Sequence, residues 1–301
     1  MKGIILAGGA GTRLYPLTIV TSKQLLPVYN KPMIYYPLST LMLARIREVL
    51  IISTPEDTPR IRQLLGDGSQ LGMHLEYAVQ EKPEGLAQAF TIGKDFIGDD
   101  SCAMILGDNI FYGNGLGAKL LAAVKMAEKG SATIFGYYVE DPERFGIMEF
   151  EKISNDKDNG LRVVSVEEKP AVPKSNYAIV GLYFYPSGVS VKAENVKPSA
   201  RGELEITTLN DMYLQEGRLH AQLLGRGFTW MDAGTIDSLR RATNFVCMIE
   251  QYQGMSISAP EEIAYRFKWI SKDQLIESAD KYGKSPYGEH LRAVLEDRIV
   301  L

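Results

Sequence analysis

Apolar runs and helical patterns alternate through the first third of the chain. Gly3-Ile4-Ile5-Leu6, "EVLIIS" (48–53), "HLEYAV" (74–79) and "CAMILGD" (102–108) read as strands, mostly apolar rather than strictly alternating. Between them, three segments carry helical spacing: "PMIYYPLSTLMLA" opening at Pro32, "TPRIRQLLGDG" with Pro59 in its first turn and Gly66 at its stop, and "LAQAFTIGKDF". Strands without a wet face, each followed by a helix, predict an α/β protein. Its centre is a Rossmann-like, mostly parallel sheet with helices on both faces.

The middle changes character. "SATIFGYYV", "GIMEFEKI", "LRVVSVEEKP" and "YAIVGLYFYP" are β-type runs with little helix between them, which predicts an added small β sub-layer or extra strands on the sheet. "EITTLNDMYLQEG" returns to helix and "LHAQLLG" to strand. After Asp232 the pattern is mainly helical, with "IDSLRRATNFVCMIEQYQG" as one long helix. The expected organisation is a core over residues 1–240 and a helical C-terminal segment over 241–301 packed on it. "SNDKDNG" (154–160) reads as a polar turn, and no fixed-period repeat or hexapeptide β-helix is present.

Composition narrows the partners. The 301 residues are 45% hydrophobic and 23% charged, with a formal net charge of −4. Such a surface has no general attraction for nucleic acid or an anionic membrane, so an anionic ligand requires a local cluster of cations. Cys102 and Cys247 lie in apolar runs and form no CxxC pair; buried free thiols are expected. No apolar stretch has the length of a membrane span and the N-terminus lacks a signal-peptide pattern, so a cytoplasmic protein is expected.

The candidate chemistry begins directly after the first strand. Gly8-Gly9-Ala10-Gly11-Thr12-Arg13 is a glycine loop, and Lys23 follows it in "SKQLLP". In an open parallel sheet, ligands bind beyond the carboxyl ends of the strands. Glycines there let backbone N–H groups approach a phosphate, while Arg13 adds a forked cation and Lys23 a compact one. Neither common phosphate motif is complete. Gly3 and Gly8 have the P-loop spacing, but Gly9-Ala10 replaces its Lys-Ser/Thr; Gly9 and Gly11 fit the dinucleotide fingerprint, but Leu14 stands at its third glycine. A glycine turn alone is equally a tight strand-to-helix connection; Arg13 and Lys23 weigh toward a phosphate ligand.

With those residues in place, "LAGGAGTRLYPLT…SKQLLPVYNKPM" resembles the sugar-1-phosphate nucleotidylyltransferases, whose signature is a GxGTRL loop followed by a lysine before a Leu-Pro run. The form "SKQLLPVYNKPMIYYPLSTLMLA" is similar to the thymidylyltransferase branch. The likeness continues through "QEKPEGLAQAF", "LGDN", "DPERFGIMEF", "VEEKP", "SNYAIVGLYFYP", "RGELEIT" and "WMDAGT". It implies transfer of a nucleotidyl group from dTTP to glucose 1-phosphate, releasing pyrophosphate, as a first step toward dTDP-rhamnose or related deoxysugars.

The resemblance also implies roles. Leu6, Gly8, Gly11, Thr12, Arg13, Lys23, Gln24, Gln80 and Gly85 would bind the nucleotide. Gln80 presents both a donor and an acceptor to a pyrimidine edge. Asp108 and Asp232 would hold Mg²⁺, although each alone is equally a cap of the following turn. Asn109, Gly146, Glu168, Lys169, Ile179, Tyr183, Arg201 and Glu205 would bind the sugar phosphate, with Ile179 standing where close relatives are expected to have valine. Arg13, Lys23 and Asp108 would carry catalysis. His74, His220 and His290 lie in no catalytic motif. Members of this type imply a homotetramer with feedback by dTDP-rhamnose, to which "APEEIAYRFKW" (259–269) and Tyr112 would contribute; a core-packing helix is the plain alternative. A pyrophosphorylase for UTP or another sugar phosphate, and a catalytically silent sugar-nucleotide sensor, remain open, while Leu14 disfavours a nicotinamide oxidoreductase.

Overall fold

The computed structural model of the chain describes residues 1–152 and 161–299; the turn expected at 154–160 lies outside the described residues. Strand β1 (Lys2–Ala7) ends in the glycine loop. A small ribbon, β2 (Pro27–Val28) with β3 (Lys31–Pro32), precedes helix α1 (Tyr35–Leu43) and strand β4 (Glu48–Ser53). Helix α2 (Thr58–Leu65) leads to β5 (His74–Val79), then α3 (Gln88–Ile92) and α4 (Lys94–Ile97) to β6 (Cys102–Leu106). Next come β7 (Asn109–Gly113), α5 (Leu116–Glu128), β8 (Ala132–Tyr138), β9 (Gly146–Lys152), β10 (Leu161–Glu168) and β11 (Tyr177–Tyr185). Helices α6 (Val189–Ala193) and α7 (Ile206–Gln215) precede β12 (Leu219–Leu223) and β13 (Phe228–Asp232). Four helices finish the chain: α8 (Ile236–Gln253), α9 (Pro260–Arg266), α10 (Lys272–Tyr282) and α11 (Pro286–Leu295).

Nine strands form one sheet in the order β5-β4-β1-β6-β11-β8-β12-β10-β9. Successive side chains of a strand point to opposite faces, and each face has its own core. Ile5, Val49, Ile51 and Ile105 pack under α1, α2, α5 and α9–α11, whereas Ile4, Leu50, Ile52 and Met104 pack under α3, α4, α6 and α7. Helix α8 closes a third cluster, in which Leu239, Ala242 and Val246 cover Leu14, Leu26, Val28 and Met33. It runs unbroken across residues 240 and 241. Among the described residues no helix is long and apolar enough to cross a membrane.

Several sequence expectations change in detail. Pro32 does not open a helix; it belongs to the ribbon, and the Met33 and Ile34 N–H groups bond back to Leu26 and Gln24, so α1 starts only at Tyr35. The helix expected over 86–96 is two, broken at Gly93, which packs so closely on the sheet that a Cβ there would stand 3.1 Å from Ile4 and Leu50 atoms. The middle β runs do not form a separate layer. β11 runs antiparallel between β6 and β8 in the centre of the main sheet, and only β9 and β10 extend its edge. Every β11 residue but Tyr177 is buried, so the strand needs cover on both faces. Of the two free thiols only Cys102 is buried; Cys247 is half-buried, on the flank of α8 beside the inward-facing Val246.

The C-terminal helices are anchored by buried charge. Lys31 Nζ donates to Glu250 Oε1 at 2.9 Å, and the same carboxylate accepts from Asn30 Nδ2 at 2.7 Å and Ile257 N at 2.8 Å. Glu262 accepts from Arg266 Nε at 2.7 Å, and its other oxygen lies 2.7 Å from His290 Nε2. Burial raises the Glu262 carboxyl, but the His290 and Arg266 contacts outweigh it and hold the group below its ordinary 4.5. A folded-state value below the unfolded one gives stability that is complete above pH 4.5 and is lost as pH falls through the folded value. Melting temperatures measured below pH 4.5 are therefore expected to fall more steeply for the wild type than for Glu262→Gln.

Candidate active site

Two neighbouring parallel strands bring the first elements together. β1 and β6 end at the same edge of the sheet, delivering the glycine loop and the turn that carries Asp108. β7 leaves that turn and pairs with β13, setting Asn109 opposite Asp232. The Ala233 N–H then donates to the Asp108 carbonyl at 2.9 Å, so backbone pairing alone fixes the two acids side by side.

Gly234 shows how tightly they converge. A Cβ at this position would lie 2.8 Å from Asp232 Oδ1, 3.0 Å from Arg13 Nη2 and 3.3 Å from Asp108 Oδ2. The Gly234 N–H donates to Asp232 Oδ1 at 2.8 Å. Lys23, in a 3-10 turn capped by Ser22, donates its ammonium to Asp108 Oδ2. Burial pushes the Asp108 carboxyl up, but Lys23 and the Asn109 amide together hold it below the usual carboxylate range. Burial and then the charge of Asp108 push Asp232 up, against the opposing pull of Lys23 and Arg13.

This donor set suits a hard divalent cation. It is all oxygen, and among the described residues no cluster of three or more His, Cys, Asp or Glu side chains is placed to cage a metal. Mg²⁺ usually takes one or two carboxylates and completes its shell with water and substrate phosphate. The raised Asp232 carboxyl marks a spot where added positive charge is stabilising.

The acids sit in a cleft of about 450 Å³. Of the expected nucleotide contacts, Leu6, Gly8, Arg13, Lys23, Gln80 and Gly85 line it. So do Asp108 and Asp232, and so do all the expected sugar-phosphate contacts: Asn109, Gly146, Glu168, Lys169, Ile179, Tyr183, Arg201 and Glu205. Gly11, Thr12 and Gln24 are not brought into its lining. Gly11 adopts a left-handed turn whose carbonyl accepts from Thr18 Oγ1 at 2.8 Å, and the exposed Thr12 starts the following 3-10 turn. Gln24 is 1% exposed and lies against Gly107, its Oε1 taking the Ser22 hydroxyl at 2.6 Å. None of the three histidines lines the cleft.

Hydrogen bonds set the remaining side chains. Asn109 Oδ1 accepts from Trp230 Nε1 at 2.6 Å and Gly181 N at 3.1 Å, and its Nδ2 donates to Asp108 Oδ1 at 3.0 Å; its amide oxygen is thus committed to the protein. Glu168 accepts from the Thr207 hydroxyl, with Arg201 Nη2 at 3.6 Å and Lys169 Nζ at 4.0 Å from its other oxygen. Arg201 also bonds Glu205 at 2.8 Å. Burial, and then the Glu168 charge, push the Tyr183 phenol well above its ordinary value, so it stays a neutral hydroxyl. Sequence reasoning missed Gly9, Arg144, Thr207 and Trp230 in the lining, and Gly234 beside it. All five stand inside the motifs that carried the resemblance, but nothing in their residue type singled them out.

Comparison with known proteins shows the family of the chain. The family model described as nucleotidyl transferase matches residues 2–248. A glucose-1-phosphate thymidylyltransferase of Neisseria meningitidis serogroup A is 53% identical over 98% of this chain and 100% of its own length. One from Mycobacterium tuberculosis H37Rv is 52% identical over 98% of this chain and 99% of its own. A Bacillus anthracis protein crystallised in complex with a sucrose is 43% identical, with a TM-score of 0.71 over 81% of this chain and 94% of its own. A UDP-glucose pyrophosphorylase complexed with UDP-glucose has the same fold at 21% identity, with a TM-score of 0.72 over 82% of this chain and 98% of its own. The chain belongs to the nucleotidyl transferase family and, within it, to the glucose-1-phosphate thymidylyltransferases.

Proposed function

We propose that the enzyme joins α-D-glucose 1-phosphate to dTTP, giving dTDP-glucose and pyrophosphate, and so opens a route to dTDP-rhamnose or related deoxysugars. The observation that carries the reading is the convergence of Arg13, Lys23, Asp108 and Asp232 in one cleft with Gln80 and Glu168. A sugar-phosphate oxygen attacks the α-phosphorus in line, and pyrophosphate leaves. Phosphate monoesters have a second pKa of about 6, so the nucleophile is largely ionised at neutral pH and needs no general base. A cleft without histidine is compatible with such a reaction. What the reaction needs is alignment of two anions and neutralisation of the charge that builds between them.

Each residue then has a task. Backbone at Gly8 and the cation of Arg13 hold the triphosphate, and Arg13 retains the departing pyrophosphate. Lys23 balances charge at the α-phosphate. Gln80 and Gly85 read the base. Glu168 accepts from sugar hydroxyls, while Lys169 and Arg201 grip the sugar phosphate. Asp108 and Asp232 would hold Mg²⁺, which when bound supplies charge neutralisation and fixes phosphate geometry. A homotetramer inhibited by dTDP-rhamnose belongs to the same reading. Of its named segments, Pro260–Arg266 forms α9 packed on the core, and the Tyr112 hydroxyl donates to Gln253 at 2.7 Å.

Pyrophosphate release from dTTP with glucose 1-phosphate and Mg²⁺ tests the proposal, and release is expected only when all three are present. One methyl group separates thymine from uracil and is worth about 1–3 kcal/mol of discrimination, so UTP should turn over measurably at about 10–200-fold lower kcat/KM. Nucleotide binding without pyrophosphate release from any pair would assign a sensor instead.

A further inference from the structure

Gln80 is 5% exposed, and its amide lies against the glycine loop: a Cβ on Gly8 would stand 2.1 Å from Gln80 Oε1. A glutamine amide has two orientations of nearly equal shape and opposite hydrogen-bonding sign. Here a chain of polarities that begins at an acid removes the choice. The Glu84 carboxylate only accepts, so Gln88 turns its NH₂ toward it, and Nε2 donates to Glu84 Oε2 at 2.8 Å. Gln88 Oε1 thereby faces the other way, where it accepts from the Glu84 backbone N–H at 3.2 Å and from Gln80 Nε2 at 2.6 Å. Gln80 has its NH₂ committed to Gln88. Its Oε1, beside Gly8 in the lining of the cleft, accepts no hydrogen bond from any described residue.

We propose that Gln88 is a positioning residue that sets the sign of base readout. By fixing Gln80 with its carbonyl oxygen toward the nucleotide, it favours a pyrimidine whose ring N3 carries a hydrogen, as in thymine and uracil. Cytosine, whose N3 is an acceptor, would set two lone pairs against each other. Discrimination is large when a buried polar group of the site is left unpaired by the wrong substrate. Gln88 itself does not line the cleft and touches the nucleotide only through Gln80. The inference rests on the reading above that Gln80 faces the base.

The test is kcat/KM for dTTP, UTP and dCTP, with glucose 1-phosphate and Mg²⁺, in the wild type, Gln88→Leu, Gln88→Glu/Glu84→Gln and Glu84→Leu. Gln88→Leu frees the Gln80 amide to turn over, and the dTTP:dCTP ratio is expected to fall at least about tenfold, with UTP following dTTP. Gln88→Glu, made together with Glu84→Gln so that an amide rather than a second carboxylate faces it, keeps an acceptor for Gln80 Nε2, and its ratio should stay within about threefold of the wild type. Glu84→Leu removes an exposed acid that orients Gln88 but leaves the backbone N–H at position 84, so it should lower the ratio in the same direction by a smaller factor, and does so even if Gln88→Leu fails to fold. A merely structural role would lower dTTP and dCTP turnover together; an unchanged ratio in active Gln88→Leu or Glu84→Leu enzyme overturns the proposal. A wild type that turns over no dTTP removes the base-site reading and the proposal with it, an outcome distinct from an unchanged ratio.

Discussion

Replacing Lys23 by alanine should cut kcat for pyrophosphate release by about 10²–10³-fold, the loss typical of removing one preorganised charge-stabilising donor. Lys23 is the ammonium already held in the cleft against Asp108. A group fixed before the substrates arrive needs no reorganisation as charge develops, which is why its removal weighs more on kcat than on KM. The same substitution has a second effect. Lys23 and Asp108 side chains are 15% and 9% exposed, so the variant leaves a buried carboxylate without its cation, at a cost of about 3 kcal/mol. The two effects separate in Lys23→Ala/Asp108→Asn, which should regain much of the melting temperature and none of the rate. A single variant with kcat within threefold of the wild type would remove Lys23 from the mechanism.

Glu250→Ala should be the most destabilising of the substitutions considered. It strands the Lys31 ammonium, whose side chain is 2% exposed, and leaves Asn30 Nδ2 and the Ile257 N–H without their acceptor. Removing one partner of a buried ion pair costs about 3–5 kcal/mol, and for a chain of this size that corresponds to a fall in melting temperature of roughly 5–10 °C. Replacing both partners by apolar residues, Lys31→Met with Glu250→Leu, should recover most of the loss, since the charges are dear to bury and dearer to bury alone. Thermal unfolding followed by circular dichroism decides the matter. A Glu250→Ala shift under about 2 °C would mean that the carboxylate contributes little to holding α8 on the ribbon.

Local chemistry made much of this structure legible beforehand. The apolar runs gave β1, β4 and β6, and Pro59 and Gly66 marked α2 correctly. The glycine loop and Lys23 stand out by residue type and position, whereas the pairing of the two acids comes from the resemblance; the fold brings Gly8, Lys23, Asp108 and Asp232 into one cleft. What stayed hidden depends on contacts between distant segments. Nothing near β11 in sequence indicates that it enters between β6 and β8 in the opposite direction. The resemblance implies Gln24 as a nucleotide contact, yet a 3-10 turn sends it away from its neighbour Lys23 and buries it against Gly107. Gly234 is an ordinary loop glycine until Arg13 and Asp108 arrive beside it. Gln88 reads as one more polar helix residue, because its partner lies eight positions back on the far side of a loop.

The pairing of Asn109 with Asp232 has a consequence for synthesis on the ribosome. Translation at about 5–20 residues per second separates the two by a delay on the order of ten seconds. During that interval the nascent chain already displays the glycine loop, Lys23 and Asp108, but the opposing acid does not yet exist. β6 also waits, its free edge uncovered until β11 emerges to take its place beside it. An unpaired apolar strand of that kind is a template for association with other chains. The half-made chain therefore lacks one of its two paired acids at the same stage at which the β6 edge is open to other chains, and both gaps close only as the later strands β11 and β13 dock.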